Sequence, residues 1–103
     1  MDEPILLHIA PAQAWNAALA SGQYQTPDLP ATGFIHLCRP SQLPFVLEKF
    51  FPTRTGFLLL RIDAAKLRSR LIYEFSEPGQ PSFPHLYGPL NADAVISTGP
   101  LPD

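Results

Sequence analysis

A chain of 103 residues has room for one domain around one core, expected over residues 1–103. With 46% hydrophobic and 16% charged residues it suits neither disorder nor a coiled coil. A formal net charge of −2, with the seven basic residues mostly scattered, excludes a nucleic-acid footprint, so RNA is not an expected partner.

The single cysteine leaves no internal disulfide and no cysteine zinc site. No apolar run nears the roughly 20 residues that span a bilayer, so no membrane association is expected. The acidic start Met1-Asp2-Glu3-Pro4 lacks the positive head of a secretory signal, which makes the cytoplasm the expected compartment. Thirteen prolines, spread along the chain, punctuate many short elements rather than forming one polyproline ligand.

Pro4 to Ala10 reads as a strand with Leu6, His8 and Ala10 on one face and Ile5, Leu7 and Ile9 on the other. Both faces are largely apolar, as in an interior strand. Pro11 suits a first helical turn, Ala14, Trp15, Ala18 and Leu19 form a buried stripe, and Gly22 stops the helix. Trp15 is expected as a core anchor.

Gln23 to Thr32 is expected as a polar loop, with Tyr24 its one bulky residue. A strand over Gly33–Cys38 follows, placing Phe34, His36 and Cys38 on one face and Ile35 and Leu37 on the other. Pro40 opens a second helix through about Phe51, buried through Leu43, Val46, Leu47, Phe50 and Phe51. Pro44 is tolerable there only in the first turn.

The continuous apolar run of Gly56–Asp63 predicts a central strand, with Asp63 capping the turn Ala64–Leu67. Leu71–Phe75 is a further strand, Ser76–Pro84 a loop, Leu86–Gly88 a short extended piece, Asn91–Asp93 a turn and Ala94–Ser97 a last strand. Beyond Gly99 the tail is expected to fray. Helices early and strands late predict a mixed α+β domain with two main helices and a mostly antiparallel sheet.

The three histidines, His8, His36 and His85, all lie within or beside short apolar segments. They stand in separate elements without a His-x-x-His pair, so no metal site is predicted. Each is either a satisfied core residue or a group held at a cleft. Cys38, before Arg39 and a helix start, could pair with His36 as a nucleophile, or it could simply pack as a small apolar residue at a corner. Glu74 is the informative acid, flanked by Tyr73 and Phe75 with no adjoining base. If the histidine strands meet, they form a cleft with imidazole donors, Tyr87 as a stacking or hydroxyl group, and Glu74 as the carboxylate.

Leu7-His8-Ile9, Ala14-Trp15, Gly22, Gly33-Phe34-Ile35-His36, Gln42, Leu58 to Asp63, Glu74 and above all Phe83-Pro84-His85-Leu86-Tyr87-Gly88-Pro89-Leu90 resemble the bacterial family called domain of unknown function 952. The chain departs from that pattern at Cys38-Arg39, where the family more often carries Ser-Thr. The resemblance implies an ADP-ribosyltransferase-like fold, a small split sheet around a nicotinamide dinucleotide cleft. Ile35-His36-Leu37 followed by Leu58 to Ala64 is also similar to RNA 2′-phosphotransferases of that grouping.

What the resemblance implies is an NAD-cleaving or ADP-ribose-handling enzyme with NAD as a substrate and no permanently bound cofactor. His8 would hold the adenylate-side ribose, His36 the phosphates or ribose, and Glu74 the ribose cation or the acceptor. Tyr87 or Tyr24 would stack on nicotinamide, with His85 as a supporting donor. The alternatives are a non-catalytic module for a small nucleotide-like ligand or metabolite, and a protein-interaction domain whose histidines are core residues.

Overall fold

The architecture follows from two strands that are apolar on both faces. A computed structural model describes residues 4–75 and 78–102. Strand β1 (Ile5–Pro11) pairs antiparallel along its length with β4 (Phe57–Asp63), and β4 pairs in turn with β8 (Val95–Pro100). Leu6 and Ala10 of β1 and Leu60 and Ile62 of β4 enter one core with Trp15, Tyr24, Ile35, Leu86 and Leu90. Leu7, Ile9 and Leu59 enter a second cluster with Cys38, Leu47 and Leu101. Period-two alternation thus feeds a core on each face of this sheet, so a one-residue slip in register would exchange both sets at once.

A second sheet has the order β3-β6-β5, formed by Ile35–His36, Phe83–Tyr87 and Arg70–Glu74, again antiparallel. A two-stranded pair joins β2 (Gln23–Tyr24) to β7 (Leu90–Asn91). The domain is therefore small, α+β and mostly antiparallel. Helix α1 (Ala12–Ser21) stops at Gly22, whose φ of 81° is left-handed and whose N–H reaches the Ala18 carbonyl at 2.8 Å. Asp63 accepts the Ala65 N–H at 3.0 Å and caps a short 3₁₀ turn over Ala64–Lys66. Pro44 lies in the first turn of α3 (Leu43–Phe50), after a 3₁₀ turn over Pro40–Gln42.

Several expectations are corrected. The segment expected as a loop over Gln23–Thr32 carries β2 and a four-residue helix, α2 (Leu29–Thr32), because distant β7 and the core burial of Leu29 organise it. Gly33 ends α2 rather than starting a strand, which shortens β3. Leu19 is 57% exposed, since the buried face of α1 centres between Trp15 and Ala18. In α3 only Leu47 is buried, while Phe50 is 59% and Phe45 48% exposed.

Pro84 lies inside β6, not in a loop, and is buried. Its carbonyl accepts from Leu37 N–H at 3.0 Å, and the bond its nitrogen cannot donate falls just beyond the end of β3. The start of the loop expected over Ser76–Pro84 lies outside the described residues, as does the acidic start Met1-Asp2-Glu3. The segment after Gly99 does not fray at once. Pro100 pairs with Leu58, and Leu101 is buried in the second cluster.

Gly88 closes the Phe83–Tyr87 strand with φ of 144°, and a Cβ there would meet Ser69 Oγ at 2.5 Å. That serine hydroxyl donates to the Pro89 carbonyl at 2.6 Å, so it is not free to withdraw. Glycine is required by conformation and by space together. Leu60→Ala removes a fully buried side chain from the middle of β4 and is expected to cost about 2–5 kcal/mol in urea unfolding, whereas Leu19→Ala is expected to stay within about 0.5 kcal/mol.

Candidate functional site

The two three-stranded sheets touch where β1 meets the residues following β3. Leu7 and Cys38 exchange backbone bonds at 2.8 and 2.9 Å, and no further bridge of that ladder forms among the described residues. In an antiparallel ladder the next bonded pair would join Ile9 to His36. Instead the His8 side chain enters the gap, and its Nδ1–H donates to the His36 carbonyl at 2.7 Å. The imidazole stands in for backbone at the point where the sheets part.

That bond determines the His8 tautomer, because a carbonyl only accepts. Nε2 is therefore the acceptor and receives the Tyr24 hydroxyl at 3.0 Å. Tyr24 is 1% exposed, its ring packed against Trp15 and edge-on to His8. It lies behind His8, out of stacking reach of any ligand. Burial pushes its hydroxyl up to about 12, with the Asp28 charge adding to the effect, so it stays a donor. Burial likewise lowers His8 to about 4, against the pull of the His36 carbonyl. Both ring nitrogens of His8 are committed within the protein, which leaves it no donor for a ribose.

On the second sheet, alternation sends Ile35, Leu86 and Leu71 toward the core and turns His36, His85 and Tyr87 to the other face. His36 lies directly opposite His85 in the β3–β6 register. Their rings meet edge-on at 5.3 Å and 86°. Phe34 stacks on His85 at 4.1 Å and 15° and meets His36 edge-on at 4.8 Å. His36 is held below its ordinary range by partial burial, then by His85.

Glu74 is a diagonal cross-strand neighbour of His85, since Ile72 pairs with His85 and Glu74 with Phe83. Its Oε1 accepts His85 Nδ1–H at 2.9 Å and the Tyr87 hydroxyl. These two donors, Tyr87 first, hold the Glu74 carboxyl below the usual range, and the carboxylate in turn raises Tyr87. The acid and the tyrosine stand behind His85 rather than on the surface of the hollow.

A cleft of about 660 Å³ opens between the sheets and α3. His8, His36 and His85 all line it, with Phe34, Phe45 and Phe83 among its apolar walls. Glu74, Tyr24 and Tyr87 are not on its lining. Among the described residues Lys49 is the one Lys or Arg there, and Asp28 the one carboxylate. Cys38 also lines it but is 4% exposed, and burial pushes its thiol up to about 11, so it packs as a small apolar residue and is no activated nucleophile. Among the described residues no group of three or more His, Cys, Asp or Glu side chains could hold a metal ion. No described helix is long and apolar enough to cross a membrane.

Phe34, Asp28 and Lys49 were not predicted as site residues. The period-two pattern that places Phe34 beside His36 was the available signal, whereas Asp28 and Lys49 arrive through tertiary packing. His8 gives a pH prediction. Its protonation favours the unfolded chain, so its contribution is full above its unfolded value near 6.5 and is lost as pH falls toward about 4. Urea unfolding across this window should show wild type losing stability more steeply than His8→Asn, by up to about 1.4 kcal/mol per pH unit.

The X-ray structure of protein CC0527 from Caulobacter crescentus has this fold, with a TM-score of 0.82 at 31% identity over 93% of this chain and 84% of that one. The solution NMR structure of the same protein gives a TM-score of 0.77 at 31% identity over 94% and 84%. No curated protein matches the chain. A model of a family described as protein of unknown function, DUF952, matches residues 9–98. With most of its length under that match, the chain belongs to the DUF952 family.

Proposed function

We propose that the histidine-lined cleft binds NAD or an ADP-ribose-containing ligand and cleaves the nicotinamide–ribose bond, in the manner of an ADP-ribosyltransferase-like domain. The observation that carries this reading is the convergence of His8, His36 and His85, from three separate strands, on one hollow of about 660 Å³. That volume lies within the roughly 300–1,000 Å³ of small-molecule sites, and its walls are apolar and aromatic with few polar groups, as such sites are. The aromatic wall suits a flat base, and Lys49 suits one phosphate.

In this reading His36 and His85 offer ring nitrogens to ligand oxygens, while His8 keeps the His36 backbone in place. Breaking a nicotinamide–ribose bond develops positive charge on the ribose, which positioning and nearby negative charge stabilise. Among the described residues Asp28 is the carboxylate on the lining, and Glu74 touches the lining residue His85. The sparse charge favours, as the second reading, a module that binds the same ligands without turning them over.

Melting in the presence of NAD and of ADP-ribose, with chromatography for free nicotinamide, tests both. At a hundred times the dissociation constant either ligand should stabilise the domain by about 2.7 kcal/mol, and His36→Ala should abolish the shift. A shift with nicotinamide release supports the enzyme, and a shift without release supports the module. No shift with either ligand overturns both.

A further inference from the structure

His85 is held far more firmly than a ligand contact requires. Glu74 from β5 takes its Nδ1–H at 2.9 Å, Tyr87 from the same strand as His85 fixes that carboxylate, and Phe34 before β3 stacks on the ring at 4.1 Å. Because a carboxylate only accepts, the neutral ring carries its proton on Nδ1 and a lone pair on Nε2. Among the described residues nothing bonds Nε2, and the ring lines the cleft. An imidazole oriented by a carboxylate, with its second nitrogen open to a ligand-sized hollow, is the arrangement that general acid–base catalysis needs.

We propose that His85 is the proton-transfer residue of the cleft, with Glu74 as its positioning residue. This rests on the reading of the cleft as a site for NAD-type ligands. As the oxygen of an acceptor hydroxyl or water bonds to the ribose carbon, the bond from that carbon to the nicotinamide nitrogen breaks. Its electron pair leaves with nicotinamide, which departs neutral. The acceptor's proton passes to His85 Nε2, and the imidazolium so formed faces the Glu74 carboxylate. The titratable groups facing His85 are Glu74 from β5, Tyr87 from β6 and His36 from β3.

Two variants test this with NAD as the probe. His85→Gln is expected to lower nicotinamide release at least about 100-fold while NAD still raises the melting temperature. Glu74→Gln should lower kcat about tenfold, within the range general acid–base contributions span, with KM changed less than about twofold. Release at the wild-type rate by His85→Gln, or an unchanged kcat in Glu74→Gln, overturns the proposal.

If wild type neither binds nor cleaves NAD, the NAD reading fails and His85 is judged separately. Long-range ¹H–¹⁵N NMR should then find its proton on Nδ1, and diethyl pyrocarbonate should modify Nε2 several-fold more slowly in Glu74→Gln. A proton on Nε2, or equal modification rates, overturns the assignment.

Discussion

The hydrogen bond from His8 to the His36 carbonyl is the contact on which the site depends. It occupies the place where β1 and β3 would otherwise have continued as one ladder, and so lets two sheets separate while the His36 carbonyl keeps a partner. Tyr24 secures the arrangement from behind by donating to the other ring nitrogen. The cleft opens where a side chain takes the place of a backbone bond between two strands.

From that separation the rest of the site follows. The second sheet buries Ile35 and Leu86 on one face, and the same alternation presents His36 and His85 to the opening. Helix α3 closes the far wall, and its exposed Phe45 and Phe50 become intelligible as lining rather than as failed core residues. The 3₁₀ turn that leads into it is closed at its start by Gln42, whose Oε1 accepts the Arg39 N–H at 2.9 Å while its Nε2 donates to the Ser82 carbonyl. This supplies the closure that Cys38-Arg39, without a serine or threonine, does not provide. Arg39 also donates to the Ser82 carbonyl, so the loop leading into β6 is tied to the start of α3.

The polar groups of the cleft divide by function. His8 is an internal strut, neutral and fully bonded. His36 is exposed at the opening. His85 is buried but retains an open nitrogen, with Glu74 and Tyr87 arranged behind it. Three residues of one type thus receive three different environments from one fold, and only the last two retain capacity for a ligand.

Much of the framework could be read from local chemistry. The two-sided apolar runs of β1 and β4, the stop at Gly22, the cap at Asp63 and the first-turn position of Pro44 each depend on neighbours within a few residues, where backbone preference and hydrophobic period act directly. The three histidines were recognisable as unusual because they sit in apolar company. The pairing of Gln23–Tyr24 with Leu90–Asn91, the strand through Pro84 and the burial of Leu101 were not legible, since each has a partner more than 20 residues away, for Pro84 the Leu37 N–H that follows β3. Tyr24 and Glu74 were recognisable as candidates, but their placement behind His8 and His85 was decided by register between strands. The chain by itself determined which residues could form strands and supply imidazoles. Only the tertiary structure decided which ring nitrogens would be spent on the protein's own hydrogen bonds and which would remain open, because that choice belongs to contacts between distant segments.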